Sequence, residues 1–384
     1  MKKVRKALVI VRDDAYSNMT WSGIPNHTIK ILRDHGVEVE VVDKLGFPNN
    51  FSWRVKRALN KIINTPAPRY YSVSTSKFYG KLLEKRLNPL KNDFDFVLAI
   101  DFTEGMPFFE KNQKPTFVFR DASYLQLNEI KYPGYENFSV EERQELQKVE
   151  NEGFKTCDRV LITSNWAKKY CQKFHPDIEE NKYFVLPFSS QIYPPPVRHD
   201  WKLRSLDNTS VVKFLFVGRD WKRKGGDKAV EILNCLSGLG KKIQLTIVGA
   251  NPSLQDVKFE YQVIQNLDMN SDVDKRRMIE LYKENHFFIL PVNIEAFGIV
   301  FSEAMSFGLP IITHDTCALP EIIENDIHGI CLSPNTSSMD FARRALVVID
   351  NNKRYQEIQE ACYQRFSERF HPRNWVEGLL SLIE

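Results

Sequence analysis

The chain has 384 residues, 42% of them hydrophobic and 27% charged, the balance of a soluble globular protein long enough for two domains with separate cores. A net charge of +4 is too mild to argue for nucleic acid, and no apolar run approaches the length needed to cross a bilayer. The six cysteines are scattered, with no Cys-x-x-Cys pair and no histidines at ligand spacing, so they read as reduced thiols of a cytoplasmic protein with no metal site.

In chain order, Ala7–Val11 reads as a buried strand. The loop 13–23 then leads to a helix with Pro25 near its start and Gly36 just past its end. Strands follow at Val37–Val42, Asp95–Ile100, Thr116–Phe119, Arg159–Thr163 and Tyr183–Leu186. Continuous apolar strands alternating with helices argue for a parallel sheet covered on both faces. No Gly-x-Gly-x-x-Gly follows the first strand, so a dinucleotide cofactor there is not expected.

Residues 51–91 carry ten basic side chains against one acid, Glu84, with Trp53, Tyr70, Tyr71, Phe78 and Tyr79 interleaved. Two readings stay open. One is a pair of helices packed on the domain with solvated lysines; the other is a surface for an anionic membrane or a phosphate-bearing acceptor.

Pro194-Pro195-Pro196 can join neither a helix nor an interior strand, and 191–208 is read as a linker between an N-terminal domain, 1–190, and a C-terminal one, 209–365. The second domain opens with a strand, Val211–Val217, that runs into Gly218-Arg219-Asp220-Trp221-Lys222-Arg223-Lys224-Gly225-Gly226. A cationic loop between a strand's carboxyl end and a helix is where doubly wound folds bind ligands. Lys222 and Arg223 read as a solvated basic turn beside it. Ile243–Val248, Glu260–Ile264, His286–Leu290, Pro310–Thr313 and Gly329–Leu332 complete a second parallel sheet.

The most informative stretch is 291–310, strand end, loop, helix and stop. Phe297, Gly298, Ile299 and Val300 present backbone amides at a helix start, a seat for an anion, and Gly298 removes the Cβ that would hold a phosphate away. Glu295 precedes this turn and Glu303 lies inside the helix. The pattern reads either as a diphosphate site with one acid on a sugar and one on a ribose diol, or as an ordinary strand-helix unit with solvated acids.

Glu295-Ala-Phe-Gly-Ile-Val-Phe-Ser-Glu303-Ala-Met-Ser-Phe-Gly-Leu-Pro310, followed by Ala318-Leu319-Pro320-Glu321, resembles the retaining, nucleotide-sugar-dependent glycosyltransferases of GT-B fold known as group 1. The resemblance implies two Rossmann-like doubly wound α/β domains facing each other across a cleft, with 366–384 as a C-terminal helix crossing back to the first. It implies a nucleotide-diphosphate sugar as donor, UDP favoured, and no cofactor. It assigns Arg219 and Lys224 to the diphosphate, Glu295 to the donor sugar as a catalytic residue, Glu303 to the ribose, and the neighbourhood of Gly249 to the base.

The acceptor it implies is a glycan or lipid-linked glycan of surface polysaccharide or glycolipid synthesis. The enzyme would then be cytoplasmic, and peripheral at the inner membrane face if 51–91 meets lipid. Gly23 stands where the family has a glycine-rich donor loop, and Arg120 beside Asp121 where it has a histidine. Both departures leave those first-domain contacts open, with a strand-end ion pair as the other reading of Arg120. A nucleotide-sugar epimerase, a phosphorylase and a non-catalytic nucleotide-binding adaptor are the alternatives.

Overall fold

In a computed structural model, which describes residues 5–46, 55, 72–88, 93–106, 114–207, 210–265 and 267–383, the chain divides into two units. One is Met1–Pro187 with Val376–Glu384, the other Phe188–Trp375.

The first unit comprises β1 (Arg5–Val11), α1 (Ile24–Asp34), β2 (Val37–Val42), α2 (Val73–Leu87), β3 (Phe96–Ile100), β4 (Thr116–Arg120), α3 (Tyr124–Glu129), α4 (Val140–Thr156), β5 (Arg159–Ile162), α5 (Asn165–Phe174) and β6 (Tyr183–Val185). Its sheet has the order β2-β1-β3-β4-β5-β6, every pair parallel. All five residues of β3 are buried, as are Ala7–Val11 of β1, because helices cover both faces and leave no solvent side to call for alternation. Helix starts follow local chemistry. Ser139 and Glu142 form a reciprocal capping box on α4, and Ser123 and Ser164 accept from the first-turn amides of α3 and α5.

Of the basic stretch 51–91, the structure describes Val55 and 72–88. There α2 buries Thr75, Tyr79, Leu83 and Leu87 against the core and leaves Lys77, Lys81, Lys85 and Arg86 exposed, the packed-helix arrangement with solvated cations. The membrane expectation for the rest of the stretch lies outside the described residues.

The second unit comprises β7 (Val212–Val217), α6 (Gly226–Gly238), β8 (Ile243–Val248), β9 (Glu260–Ile264), α7 (Asp272–Glu284), β10 (Phe287–Ile289), α8 (Ile299–Ser306), β11 (Ile311–His314), α9 (Leu319–Ile322), β12 (Gly329–Leu332), α10 (Ser338–Ile349) and α11 (Asn352–Arg365). Its sheet runs β12-β11-β10-β7-β8-β9, again parallel throughout.

Each sheet has one place where the winding reverses. From β7 the chain steps outward through β8 and β9, and from β10 it steps the other way through β11 and β12. The loops leaving β7 and β10 therefore part to opposite faces and open a crevice at the carboxyl ends. The equivalent place in the first sheet is between β1 and β3.

Residues 191–207 are packed into the second unit. Ile192, Trp201 and Leu206 are buried, the Arg204 backbone exchanges two hydrogen bonds with the Gln359 side chain, and Arg204 Nη2 donates to the carbonyls of Phe307 and Gly308, both at 2.8 Å. A cation on carbonyls at the end of α8 satisfies acceptors that helix geometry leaves orphaned. Past α11, a π-helical turn at Phe366–Phe370 and α12 (Pro372–Leu380) end the chain. Its last residues join the first unit, where Arg5 Nη1 donates to the Leu380 carbonyl at 3.0 Å.

Candidate functional site

The crevice of the second sheet is built from two loops whose backbones touch. Gly225 adopts φ +74°, and a Cβ there would lie 1.8 Å from the Pro291 carbonyl oxygen, so only glycine fits. The Asn293 amide donates to the Arg223 carbonyl at 3.3 Å and ties the loops again. Across this seam Lys224 Nζ and Arg223 Nη1 both donate to Glu295 Oε2, the second at 3.3 Å, and Arg223 also reaches the Ile294 carbonyl. Asp220 steadies Arg223 from behind, accepting its backbone amide at 3.1 Å and pairing with its guanidinium.

Arg219 is exposed at the mouth of the loop, and its Cγ would lie 3.6 Å from a Cβ on Gly249. That contact brings the loop after β8 to the same place. Glu295 is only 7% exposed. Burial alone would raise its pKa, but Lys224 and then Arg223 outweigh that and hold the carboxyl below its usual range, ionised at neutral pH.

Helix α8 begins on Gly298 at φ +81°, with no side-chain cap and no acid in its first turn, leaving the start of the helix electropositive. A Cβ on Gly298 would sit 2.7 Å from the Phe301 ring and 3.1 Å from Glu295 Cγ. The Phe297 side chain is turned away from this start, packed edge-on against Phe188 and Phe370, so its contribution to an anion is the main chain alone.

Glu303, one turn further along α8, stands in a different environment. Its Oε2 accepts from the buried Tyr282 hydroxyl at 2.8 Å, and burial pushes the carboxyl up to about 7 in spite of that bond. Ile299 and Val300 are half-buried at the same helix start.

The first sheet's reversal point holds a cavity of about 250 Å³, lined by Arg12, Asp13, Trp21, Pro25 and Asp101 among others. Its wall is strained. Trp21, Ser22 and Gly23 all have left-handed φ (42°, 56° and 79°), and only the last is glycine.

Arg120 lies behind the cavity, 1% exposed. It pairs with Asp101 Oδ1 at 3.2 Å, donates to Thr103 Oγ1 and the Ala122 carbonyl, and stacks 3.6 Å over the Tyr124 ring, which makes it a strand-end ion pair. Burial raises the Asp101 carboxyl even with Arg120 and Arg12 beside it. Asp121 is half-buried at the end of β4, and its carbonyl accepts from Thr163 at 3.3 Å.

Arg219, Lys224, Glu295, the 297–300 amides, Glu303 and Gly249 thus all belong to the loops and helix starts around the second sheet's crevice. Gly23 belongs to the left-handed turn between Trp21 and Pro25, which line the first sheet's cavity, and Arg120 and Asp121 to the strand end behind it. Sequence reasoning missed Arg223, Tyr282, Arg12 and Asp101. Only Arg223 carried a signal, its place in a cationic strand-to-helix loop. Among the described residues no group of three acidic, histidine or cysteine side chains is placed to hold a metal.

Residues 198–365 match the family described as glycosyl transferases group 1. An uncharacterized 41.2 kDa protein of the cps region of Klebsiella pneumoniae is 27% identical over 175 residues, 45% of this chain and 46% of that protein. The chain spans about half or less of the length of the curated relatives it matches first.

Among solved structures, sucrose-phosphate synthase from Thermosynechococcus elongatus has a TM-score of 0.67 at 14% identity, covering 98% of both chains. An Anabaena protein in complex with UDP and glucose has a TM-score of 0.60 at 13% identity, covering 98% of this chain and 99% of that one. The fold is GT-B, with two Rossmann-like parallel sheets, and the chain resembles the glycosyltransferases built on it.

Two outcomes follow from this geometry. Gly225→Ala forces a left-handed alanine against the Pro291 carbonyl and should lower unfolding stability by about 3 kcal/mol or more, measured by urea denaturation. For Glu303 the folded pKa of about 7 lies above the usual glutamate value of 4.5, so the native state favours the protonated form and loses stability as pH rises between those values. Glu303→Gln should therefore change stability little at pH 5 and raise it at pH 8, by up to about 3 kcal/mol. An equal effect at both pH values would refute the assigned environment.

Proposed function

We propose that this GT-B chain, whose residues 198–365 match glycosyl transferases group 1, moves a sugar from a nucleotide-diphosphate donor to an acceptor hydroxyl with retention at the anomeric carbon. The observation that supports it most is the meeting of Lys224, Arg223 and Glu295 beside the start of α8, at the point where a doubly wound sheet takes its ligand. In such a transfer negative charge builds on the departing diphosphate. Arg219, Lys224 and the amides from Phe297 to Val300 would meet that charge, and Lys224 and the amides, held before the reaction begins, lower the barrier most.

Glu295, kept ionised, accepts hydroxyls of the donor sugar, and Glu303 accepts those of the ribose. UDP is the favoured nucleotide, supported by the Anabaena relative in complex with UDP and glucose. The departing diphosphate itself helps to deprotonate the acceptor on the same face.

The acceptor, a glycan or lipid-linked glycan, takes the cavity of the first unit, where Trp21 offers an aromatic face and Arg12, Asp13 and Asp101 offer hydroxyl partners. A role in surface polysaccharide synthesis is supported by the cps-region relative. On this reading the protein works in the cytoplasm, peripheral at the inner membrane face.

The reading is tested by thermal shift with UDP, GDP and ADP, then by turnover of the matching nucleotide sugars. A ligand that binds only the folded state raises its melting temperature in proportion to affinity. Arg219→Ala and Lys224→Ala should each lose about 1.5–3 kcal/mol of charge-assisted bonding, roughly ten- to a hundredfold in kcat/KM. Activity within twofold of wild type for both would overturn the diphosphate assignment, and a sugar epimer formed without acceptor would replace transfer by epimerisation.

A further inference from the structure

Glu303 is tied to α7 by a bond that donor binding does not by itself require. We infer that Tyr282 is a positioning residue for the donor nucleotide: its hydroxyl holds one oxygen of Glu303 so that the other faces the ribose diol. The inference rests on the proposed function and names a residue outside every motif of the sequence.

Three observations carry it. Tyr282 is fully buried and its ring is clamped, stacked on Phe307 at 5.5 Å and 7° and tilted against Phe288, so the hydroxyl has one direction. That hydroxyl donates to Oε2 of Glu303 at 2.8 Å, while Oε1 has no hydrogen bond among the described residues and the side chain keeps its 8% exposure. Finally, Glu303 stands four residues beyond Ile299, which is about 6 Å along the axis from the amides at the start of α8. A nucleotide with its phosphates on those amides has its ribose one sugar-length away, level with this carboxylate.

The bond also sets when the carboxylate is ready. Burial and the Tyr282 hydroxyl are the influences on Glu303, one raising its pKa and one lowering it. Charged groups on the neighbouring elements are engaged elsewhere. Glu295 is held by Lys224 and Arg223, Arg204 lies on the carbonyls at the far end of α8, Arg365 and Arg369 lie on the Glu321 carbonyl, and Glu360 pairs with Arg198. His314 on β11 faces the Val292 carbonyl. Tyr282 itself is pushed well above the usual phenol range and stays a donor. An ionised Glu303 accepts both diol hydroxyls more strongly than a protonated one, so ribose recognition strengthens as pH rises through 7.

The test is calorimetric binding from pH 6 to 8, with whichever of UDP, GDP and ADP wild type binds best and with its 2′,3′-dideoxy analogue. Wild type should prefer the ribonucleotide by roughly tenfold at pH 8, one charge-assisted bond, and by less at pH 6. Tyr282→Phe keeps the stacked ring but removes the donor, so it should cut that preference several-fold and move the midpoint of its pH dependence upward. Glu303→Gln should leave it flat.

If wild type binds none of the three nucleotides, the proposed function fails. If it binds and discriminates, but Tyr282→Phe keeps the same ratio and midpoint, the positioning role is overturned. Should Tyr282→Phe not fold, wild type decides, because discrimination that does not change between pH 6 and 8 contradicts the inference.

Discussion

A carboxylate buried at the carboxyl end of a sheet must be answered by positive charge or give up its own, because an unpaired charge taken from water costs several kcal/mol. Glu295 is such a group, and Lys224 and Arg223 answer it from the loop on the other side of the winding reversal. The arrangement is possible only because the backbones meet at Gly225 and Pro291, so the ion triad and the glycine are one constraint. With Arg219 at the mouth, three cations stand against two carboxylates, Glu295 and the Asp220 that pairs with Arg223, and leave a net positive charge beside an uncapped helix start. Two of the cations are already held, so less of their freedom remains for an arriving anion to remove.

Seven residues separate Glu295 from Glu303, and the turn between them divides two electrostatic environments. The first faces cations and stays ionised. The second faces a phenol and apolar rings, and its carboxyl is pushed up to about 7. Identical side chains are thereby given different charge states: Glu295 is held ionised, while the charge of Glu303 depends on pH near 7. The cost of the second falls on stability, a common feature of sites where a polar group is kept apart from solvent for a ligand's sake.

Both sheets were legible in the sequence because their strands are continuous apolar runs such as Ala7–Val11 and Ile243–Val248, separated by helices with serine starts and glycine stops. The cations and acids of the second crevice were legible as a motif. What was not legible depends on tertiary placement. Arg223 and Lys222 are adjacent bases in one turn, and nothing local says which bends inward; Arg223 bonds Glu295 and Lys222 is exposed. Tyr282 sits at helical spacing from Met278 and beside Leu281, so it reads as a core aromatic, which its ring is; only the fold reveals where its hydroxyl points. Residues 191–207 were read from their prolines as a connector, yet Trp201 is buried and Arg204 half-buried in the second unit, a fact that a proline run neither requires nor forbids.

The two winding reversals are topologically alike but differ in charge. At the second, positive charge is in excess. At the first, two arginines, Arg12 and Arg120, stand against three carboxylates, Asp13, Asp101 and Glu104, with Arg12 at 3.4 Å from Glu104 and Arg120 at 3.2 Å from Asp101, so these cations are already paired. A cavity with no excess of positive charge and an aromatic wall suits a neutral polyhydroxyl compound, whose hydroxyls both donate and accept. The left-handed backbone at Trp21, which lines the cavity, fits this, since strain held in a cavity wall is kept where a rigid surface serves a ligand. On the proposed reading, then, charge balance alone sends the diphosphate to one crevice and the sugar hydroxyl to the other.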